Sequence, residues 1–306
     1  MRIPITILAG SDHRPGPLPE NVADLHSLST IYKGAEVKIN DRSLIEILVE
    51  SLKQSGKFWP ITIAGPAEIY EPLNLEATIV DTNGSVATNL RAAMEHHVAE
   101  HGELPAAFLA YDVLLSPAEL DQLHQLYLDE SPCCVWVPFV EMPANKEELG
   151  AFGWKPTYGL LPAKDESEIQ VLPGHLGIFR PETMRLELLY QILDLAYETR
   201  NHSVSDRRKI MVRKIIGKLL KEDLKSLARF QLPRLTASVI SSGLLIAGQL
   251  KKSQLTIPQL EKAIGSIFLD PETRLKGPSQ GIRHPVVDIL SLAEDVDTEE
   301  EAAGLA

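Results

Sequence analysis

The chain has 306 residues and a formal net charge of −12. That balance argues against broad nucleic-acid binding, which needs a basic face. Its 44% hydrophobic and 24% charged residues suit a globular protein with a buried core.

The N-terminal apolar run is too short for a signal peptide, and a polar loop follows it at once. Residues 3–9 read as a buried strand. The loop 10–32 contains Pro15, Pro17 and Pro19 and should lack regular structure. Residues 37–39 form a short extended piece. Asp41 is then expected to cap a helix on which Leu44, Leu48 and Leu52 share one face, with Gly56 as its stop. Strands are predicted at 60–65 and 76–81, and a helix at 89–102 with Leu90, Met94 and Val98 on one side. The run 106–112 is a strand that ends in an acid. Ser116, Pro117 and Glu119 supply the cap, first turn and capping box of the next helix. Residues 134–140 are a further strand. Cys133 and Cys134 are adjacent, with neither zinc spacing nor a disulfide framework, which points to a reducing, cytoplasmic setting.

This alternation predicts a three-layer α/β/α sandwich with a mostly parallel, Rossmann-like sheet. In such sheets ligands sit outside the carboxyl ends of strands. The Gly10 loop and Asp112 both follow strands, so one rim should carry both. From 182 to 268 the pattern is almost wholly helical. Residues 1–181 and 285–306 are therefore read as the α/β domain, and 182–284 as a mostly helical insertion. Within it, 235–250 is apolar but only 16 residues long with several Ser and Gly. A membrane span needs roughly 20 apolar residues, so a buried helix is expected.

Four pieces in order carry a resemblance: "ILAGSDHR", "YKGAEVKINDRSLIEILVESL", "FLAYDVLLSPAEL" and "AEDVDTEEEA". They resemble the GT-A-like nucleotidyltransferases, the group that includes molybdenum-cofactor guanylyltransferase and the sugar-phosphate nucleotidyltransferases. The likeness covers 1–140 and 285–306 and is weak over 182–285. It implies a nucleotide-phosphate loop at Leu8, Ala9, Gly10 and Ser11, with Arg14 beside it, and Lys33 as the family lysine. It implies Asp112 as the metal-binding acid and Asp297 as a second Mg²⁺ ligand, with Asp295 the competing choice. Residues 82–90, including Gly84 and Asn89, fall where the family contacts the base or steadies the nucleotide. Ser11 stands where the family has a second glycine, the Gly10–Lys33 spacing is longer, and no proline follows Asp112.

The chemistry fits these residue types. Nucleotidyl transfer attacks the α-phosphorus of a nucleoside triphosphate and expels pyrophosphate, so catalysis is positioning and charge stabilisation. Backbone N–H groups after Gly10 and the Arg14 fork suit phosphate oxygens, and Lys33 offers a compact charge. Mg²⁺ takes one or two carboxylates plus phosphate oxygens and water. Lys155 and His175 are acceptor candidates, because the family places an acceptor-contacting strand in that region. Plainer readings stand beside these. Gly10 serves as a turn, Asp297 precedes a Thr298–Glu301 capping box, and His96, His97 and His101 face solvent. The basic stretch 200–214 is a solvated face or an anion patch.

The expected partners are thus a nucleoside triphosphate and a small phosphorylated or acidic acceptor, with neither nucleic acid nor a membrane span. A homo-oligomer is compatible with the sequence. Two rival readings are a nucleotide-binding regulatory or scaffold protein with a decayed site, and a GT-A glycosyltransferase. The second usually wants Asp-x-Asp at the metal strand, whereas Asp295-Val296-Asp297 lies at the far end of the chain.

Overall fold

The structure is a computed structural model that describes residues 1–11, 28, 30–143, 157–198, 235–250, 254–270, 272–273 and 280–305, with 214, 217, 219 and 223. Most of the loop expected at 10–32, the basic stretch apart from Lys214, and both Arg14 and Lys155 lie outside the described residues.

Strand β1 (Ile3–Leu8) is an alternating apolar run whose Ile3, Ile5 and Ile7 are fully buried. It lies at the centre of a seven-stranded sheet, flanked in parallel by β4 (Phe58–Gly65) and β6 (Ala106–Ala110). Strand β5 (Thr78–Asp81) extends the sheet past β4. Beyond β6 come β11 (Leu176–Phe179), β7 (Val135–Trp136) and, at the edge, β12 (Ile282–Arg283). Strand β11 runs antiparallel to both its neighbours, and the remaining pairs are parallel. The expected mostly parallel α/β architecture is therefore present.

Helices cover both faces. Ile45, Leu48, Val49 and Leu52 of α2 (Leu44–Ser55) join Leu120 and Leu123 of α5 (Pro117–Glu130) in one apolar cluster against β1. On the other face Ala87, Leu90, Ala93 and Met94 of α4 (Val86–His101) pack on Ala64, Ala106 and Phe108. Tyr190 of α6 (Leu186–Glu198) closes that second cluster.

Several local expectations are corrected. Ser43, not Asp41, caps α2: Glu46 accepts from the Ser43 N–H and hydroxyl at 2.7 and 2.6 Å. Asp41 instead takes positive φ in the turn between β2 (Lys38–Ile39) and β3 (Arg42–Ser43), a conformation Asp and Asn tolerate. Gly56 ends α2 in the left-handed region, as expected. The single strand predicted at 134–140 is two. Pro138 has no N–H to give a ladder, and past it the chain leaves the main sheet to become β8 (Phe139–Glu141). That strand pairs with β10 (Ile169–Pro173) and β13 (Val286–Val287) in a smaller sheet with β9 (Tyr158–Leu160). On α4 the buried stripe ends before Val98, which is 46% exposed. His97 is buried instead, its Nε2 2.8 Å from Leu104 O.

Two helices of the C-terminal half, α7 (Leu235–Leu250) and α8 (Ile257–Phe268), pack together and share a Ser242–Ser266 hydroxyl hydrogen bond at 2.7 Å. Helix α7 is not the buried helix expected. Among the described residues it turns Leu244 outward at 70% exposed, with Ile240 and Leu245 beside it, because α8 covers one side only. No helix among the described residues is long and apolar enough to cross a membrane.

His284 joins the two sheets. Its ring stacks on Phe139 at 4.6 Å, and Nδ1 donates to Val137 O at 2.7 Å. Nε2 is then the bare nitrogen, buried with no hydrogen-bond partner among the described residues. Burial holds this imidazole's pKa below the usual 6.5. A histidine so depressed contributes stability above its unfolded pKa that is lost as pH falls through the folded value. We therefore expect the stability difference between wild type and His284→Phe, measured by urea unfolding, to shift against wild type as pH drops from about 7.5 to about 5. A difference independent of pH contradicts this account.

Candidate functional site

At the carboxyl rim, β1 and β6 end side by side, with Leu8 paired to Ala110. Two residues on, Asp112 follows the turn. The chain terminus then returns to this point: Val296 N–H donates to Asp112 O at 3.1 Å, and Val113 and Asp295 form an antiparallel bridge. In such an extended segment alternate side chains share a face. Val296 is 1% exposed and packs with Val37, Ile39 and Leu44. Asp295 and Asp297, on either side of it, come to Asp112. Oxygens of Asp112, Asp295 and Asp297 lie within 4.8 Å of one another.

Further contacts hold that returning segment. Glu119 Oε1 accepts from Ser291 Oγ at 2.7 Å while its Oε2 completes the Ser116 capping box. Burial alone would raise the Glu119 pKa, but the bonds from Ser116 and Ser291 together outweigh it and lower the value. The last helix, α9 (Glu299–Gly304), begins at Thr298. Glu301 accepts from the Thr298 N–H at 2.9 Å and also from the Asp297 N–H at 2.6 Å. The expected capping box and the acid cluster thus occupy neighbouring residues, and one does not exclude the other.

Lys33 opens the short helix α1 (Lys33–Glu36). Its Nζ lies 2.9 Å from Asp297 Oδ1, with the lysine side chain 11% and the aspartate 25% exposed. Gly34 lets α1 settle onto the floor of the site: a Cβ there would stand 3.1 Å from the Tyr111 ring and 3.2 Å from the Tyr70 hydroxyl. Tyr70 ends α3 (Ala67–Tyr70) and is 1% exposed. Its hydroxyl finds no hydrogen-bond partner among the described residues. Burial, with smaller contributions from Tyr32, Glu36 and Asp112, pushes its pKa well above the ordinary phenol range.

The loop after β1 is held by its neighbours. Ser11 Oγ donates to Asn83 Oδ1 at 2.7 Å, and Asn83 Nδ2 donates to the Tyr32 hydroxyl at 3.1 Å. Asn89 on α4 is buried. It accepts from Thr82 Oγ1 at 2.9 Å and from the Gly84 N–H at 3.0 Å. Its Nδ2 sits where a side chain on Gly10 would begin. Gly10 is thus required by the close approach of Asn89, whatever else the loop binds. Ser85 caps α4, and its hydroxyl donates to Asp194 of α6 at 2.6 Å, tying the loop to the C-terminal half.

The structure brings together Lys33, Asp112 and Asp297 and adds Asp295. Ser11, Gly84 and Asn89 gather in the adjoining loop, beside Leu8, Ala9 and Gly10. His175 lies between β10 and β11, its N–H donating to Leu292 O at 2.9 Å. Sequence reasoning missed Tyr70 and Asp194, and reached Asn83 only as part of the run 82–90.

No protein-family model matches the chain, and no curated protein matches it by sequence. Among solved structures, a hypothetical transferase from Thermus thermophilus is similar at a TM-score of 0.56 and 20% identity, covering 99% of this chain and 100% of that one. That likeness is one of fold. A 2-C-methyl-D-erythritol 4-phosphate cytidylyltransferase, also from Thermus thermophilus, is similar at 0.44 and 10% identity, covering 100% and 97%. A CMP:2-keto-3-deoxy-manno-octonic acid synthetase complexed with CTP gives 0.43 and 11%, covering 71% and 86%. These two scores are too low to carry an argument about this chain.

The Gly10–Asn89 contact makes a specific expectation. Gly10→Ala should destabilise by about 1–3 kcal/mol through overpacking. In an Asn89→Ala background the same change should cost much less. Urea unfolding of the four proteins measures this coupling, and additive effects would contradict the contact.

Proposed function

We propose that the chain is a metal-dependent nucleotidyltransferase, which joins an NMP unit from a nucleoside triphosphate to a small phosphorylated or acidic acceptor. The observation that carries the reading is the gathering of Lys33 with Asp112, Asp295 and Asp297 at the carboxyl rim, next to the β1 loop. The donor set suits Mg²⁺: three carboxylates of a hard oxygen type, already close to an ammonium that stands in for a cation. Asp112 and Asp297 would hold the ion, with Asp295 as a third oxygen source. When bound, the ion supplies neutralisation of phosphate charge.

The chain's own groups do the rest. An acceptor oxygen attacks the α-phosphorus, the bond to pyrophosphate breaks, and negative charge gathers on the phosphate oxygens and the leaving group. Lys33 is assigned to that charge, and backbone N–H groups after Gly10 to the phosphates. Ser11 is assigned to holding Asn83, since its hydroxyl already donates there. Leu8, Ala9, Gly84 and Asn89 shape the nucleotide loop. Arg14, Lys155 and His175 belong to the proposal on sequence grounds, the first for phosphate and the others for the acceptor. A phosphate or carboxylate acceptor is an adequate nucleophile without a dedicated base.

One observation favours the nucleotide-sugar alternative as well. Asp295 and Asp297 are an Asp-x-Asp pair, remote in sequence yet within reach of Asp112.

Calorimetric titration with the four ribonucleoside triphosphates and with UDP- and GDP-sugars, each with and without Mg²⁺, separates these readings. The transferase reading expects metal-dependent triphosphate binding that Asp112→Asn abolishes. It also expects pyrophosphate release to drop by orders of magnitude in that variant, as the loss of several kcal/mol of charge stabilisation requires. Identical, metal-independent curves for wild type and Asp112→Asn would support a decayed site. Preference for a nucleotide-sugar would support the glycosyltransferase.

A further inference from the structure

We propose that Lys33 acts as a resident cation of the acidic cluster, held on Asp297, when no nucleotide is bound. The site then takes a metal together with a nucleoside polyphosphate and rejects it as a free ion. The inference rests on the nucleotidyltransferase reading and states the ligand chemistry of that site.

Three observations carry it. The Lys33 ammonium is in contact with Asp297, the oxygen donor that a metal would share with Asp112. Its side chain is 11% exposed, so water screens the pair only in part. The backbone that carries Asp297 is, moreover, held in place. Its N–H is held by Glu301 at 2.6 Å, and its carbonyl accepts from Leu28 N–H at 3.2 Å. Glu301 is itself 3% exposed and fixed by the Thr298 capping box. Lysine is the mobile partner, a compact charge on a flexible four-carbon stem.

A divalent ion arriving alone would therefore meet an ammonium already bound to one of its ligands. It would either share the site with a like charge or displace the lysine from its contact with Asp297. A polyphosphate changes this. Its oxygens offer the ammonium a second partner, and as Lys33 turns to them Asp297 is released to the metal. The two ligands are then coupled, and each raises the other's affinity by the same factor. Such a device would keep the three carboxylates partly neutralised in the empty protein and would make metal occupancy report the presence of nucleotide.

The test reads Mn²⁺ binding to the nucleotide-free protein by electron paramagnetic resonance or calorimetry. Wild type should bind Mn²⁺ alone weakly. Lys33→Met should bind it at least about tenfold more tightly, since a like charge about 4 Å from the ion has been removed. The same variant should bind MgATP, MgGTP, MgCTP and MgUTP less well than wild type. Opposite changes in the two affinities cannot come from a damaged fold, which would weaken both. Lys33→Arg keeps the charge and should leave Mn²⁺ affinity near that of wild type. Should Lys33→Met fail to fold, Lys33→Gln gives the same reading. A neutral variant that binds Mn²⁺ no better than wild type overturns the inference, even if wild type binds Mg-nucleotide well. Failure of wild type to bind any of the four nucleotides overturns the transferase reading and the inference with it.

Discussion

A short stretch of backbone pairing, between residues 112–113 and 295–296, determines what the rim of this sheet can be. Without the Val296–Asp112 hydrogen bond and the Val113–Asp295 bridge, the acids at 295 and 297 would belong to a tail, and Asp112 would be one carboxylate after a strand. With them, a segment far downstream is laid against the end of β6. The buried side chain of Val296 fixes its face, so both flanking acids are turned to the same place. Glu119 through Ser291, and Glu301 through Asp297, hold the segment on either side.

Concentrating three carboxylates in this way is electrostatically unfavourable. Two unit charges about 4 Å apart repel by about 1 kcal/mol in water and about 4 kcal/mol at a surface-like dielectric. Lys33 offsets part of that through its contact with Asp297, and α1 brings the lysine there because Gly34 allows the helix to rest on Tyr111 and Tyr70. The adjoining loop is organised separately. Asn89, Asn83 and Ser11 are tied by hydrogen bonds across the end of β1, the β5–α4 connection and Tyr32. The rim therefore has a charged half and a polar half, built by different parts of the chain.

The layers were legible in the sequence because buried strands such as 3–8 and 60–65 are apolar runs ended at or near a glycine, and Ser116 with Glu119 is a local capping signal. The placement of the Gly10 loop and Asp112 on one rim followed from strand direction alone. The nearness of Asp297 was expected through the family resemblance. That Asp295 joins it, and does not compete with it, depends on reading 295–297 as extended, which the charged run after it obscured. Asp41 looked like a cap because acidic residues favour that position, yet the β2–β3 turn claims it and leaves Ser43 to the helix. The wedge of Asn89 against Gly10 depends on how closely α4 approaches β1, a tertiary distance with no local signature. Tyr70 was hidden for the same reason: its sequence neighbours say nothing of Gly34, which packs against both its hydroxyl and Tyr111.

The most direct test of the account is anomalous diffraction from crystals of the full chain grown with Mn²⁺ and the nucleoside triphosphate it binds most tightly. The account predicts one manganese peak about 2.0–2.2 Å from oxygens of Asp112 and Asp297. Lys33 Nζ should have left Asp297 for a phosphate oxygen. A peak elsewhere on the molecule, or a metal–nucleotide complex bound with the Lys33–Asp297 contact intact, would contradict it.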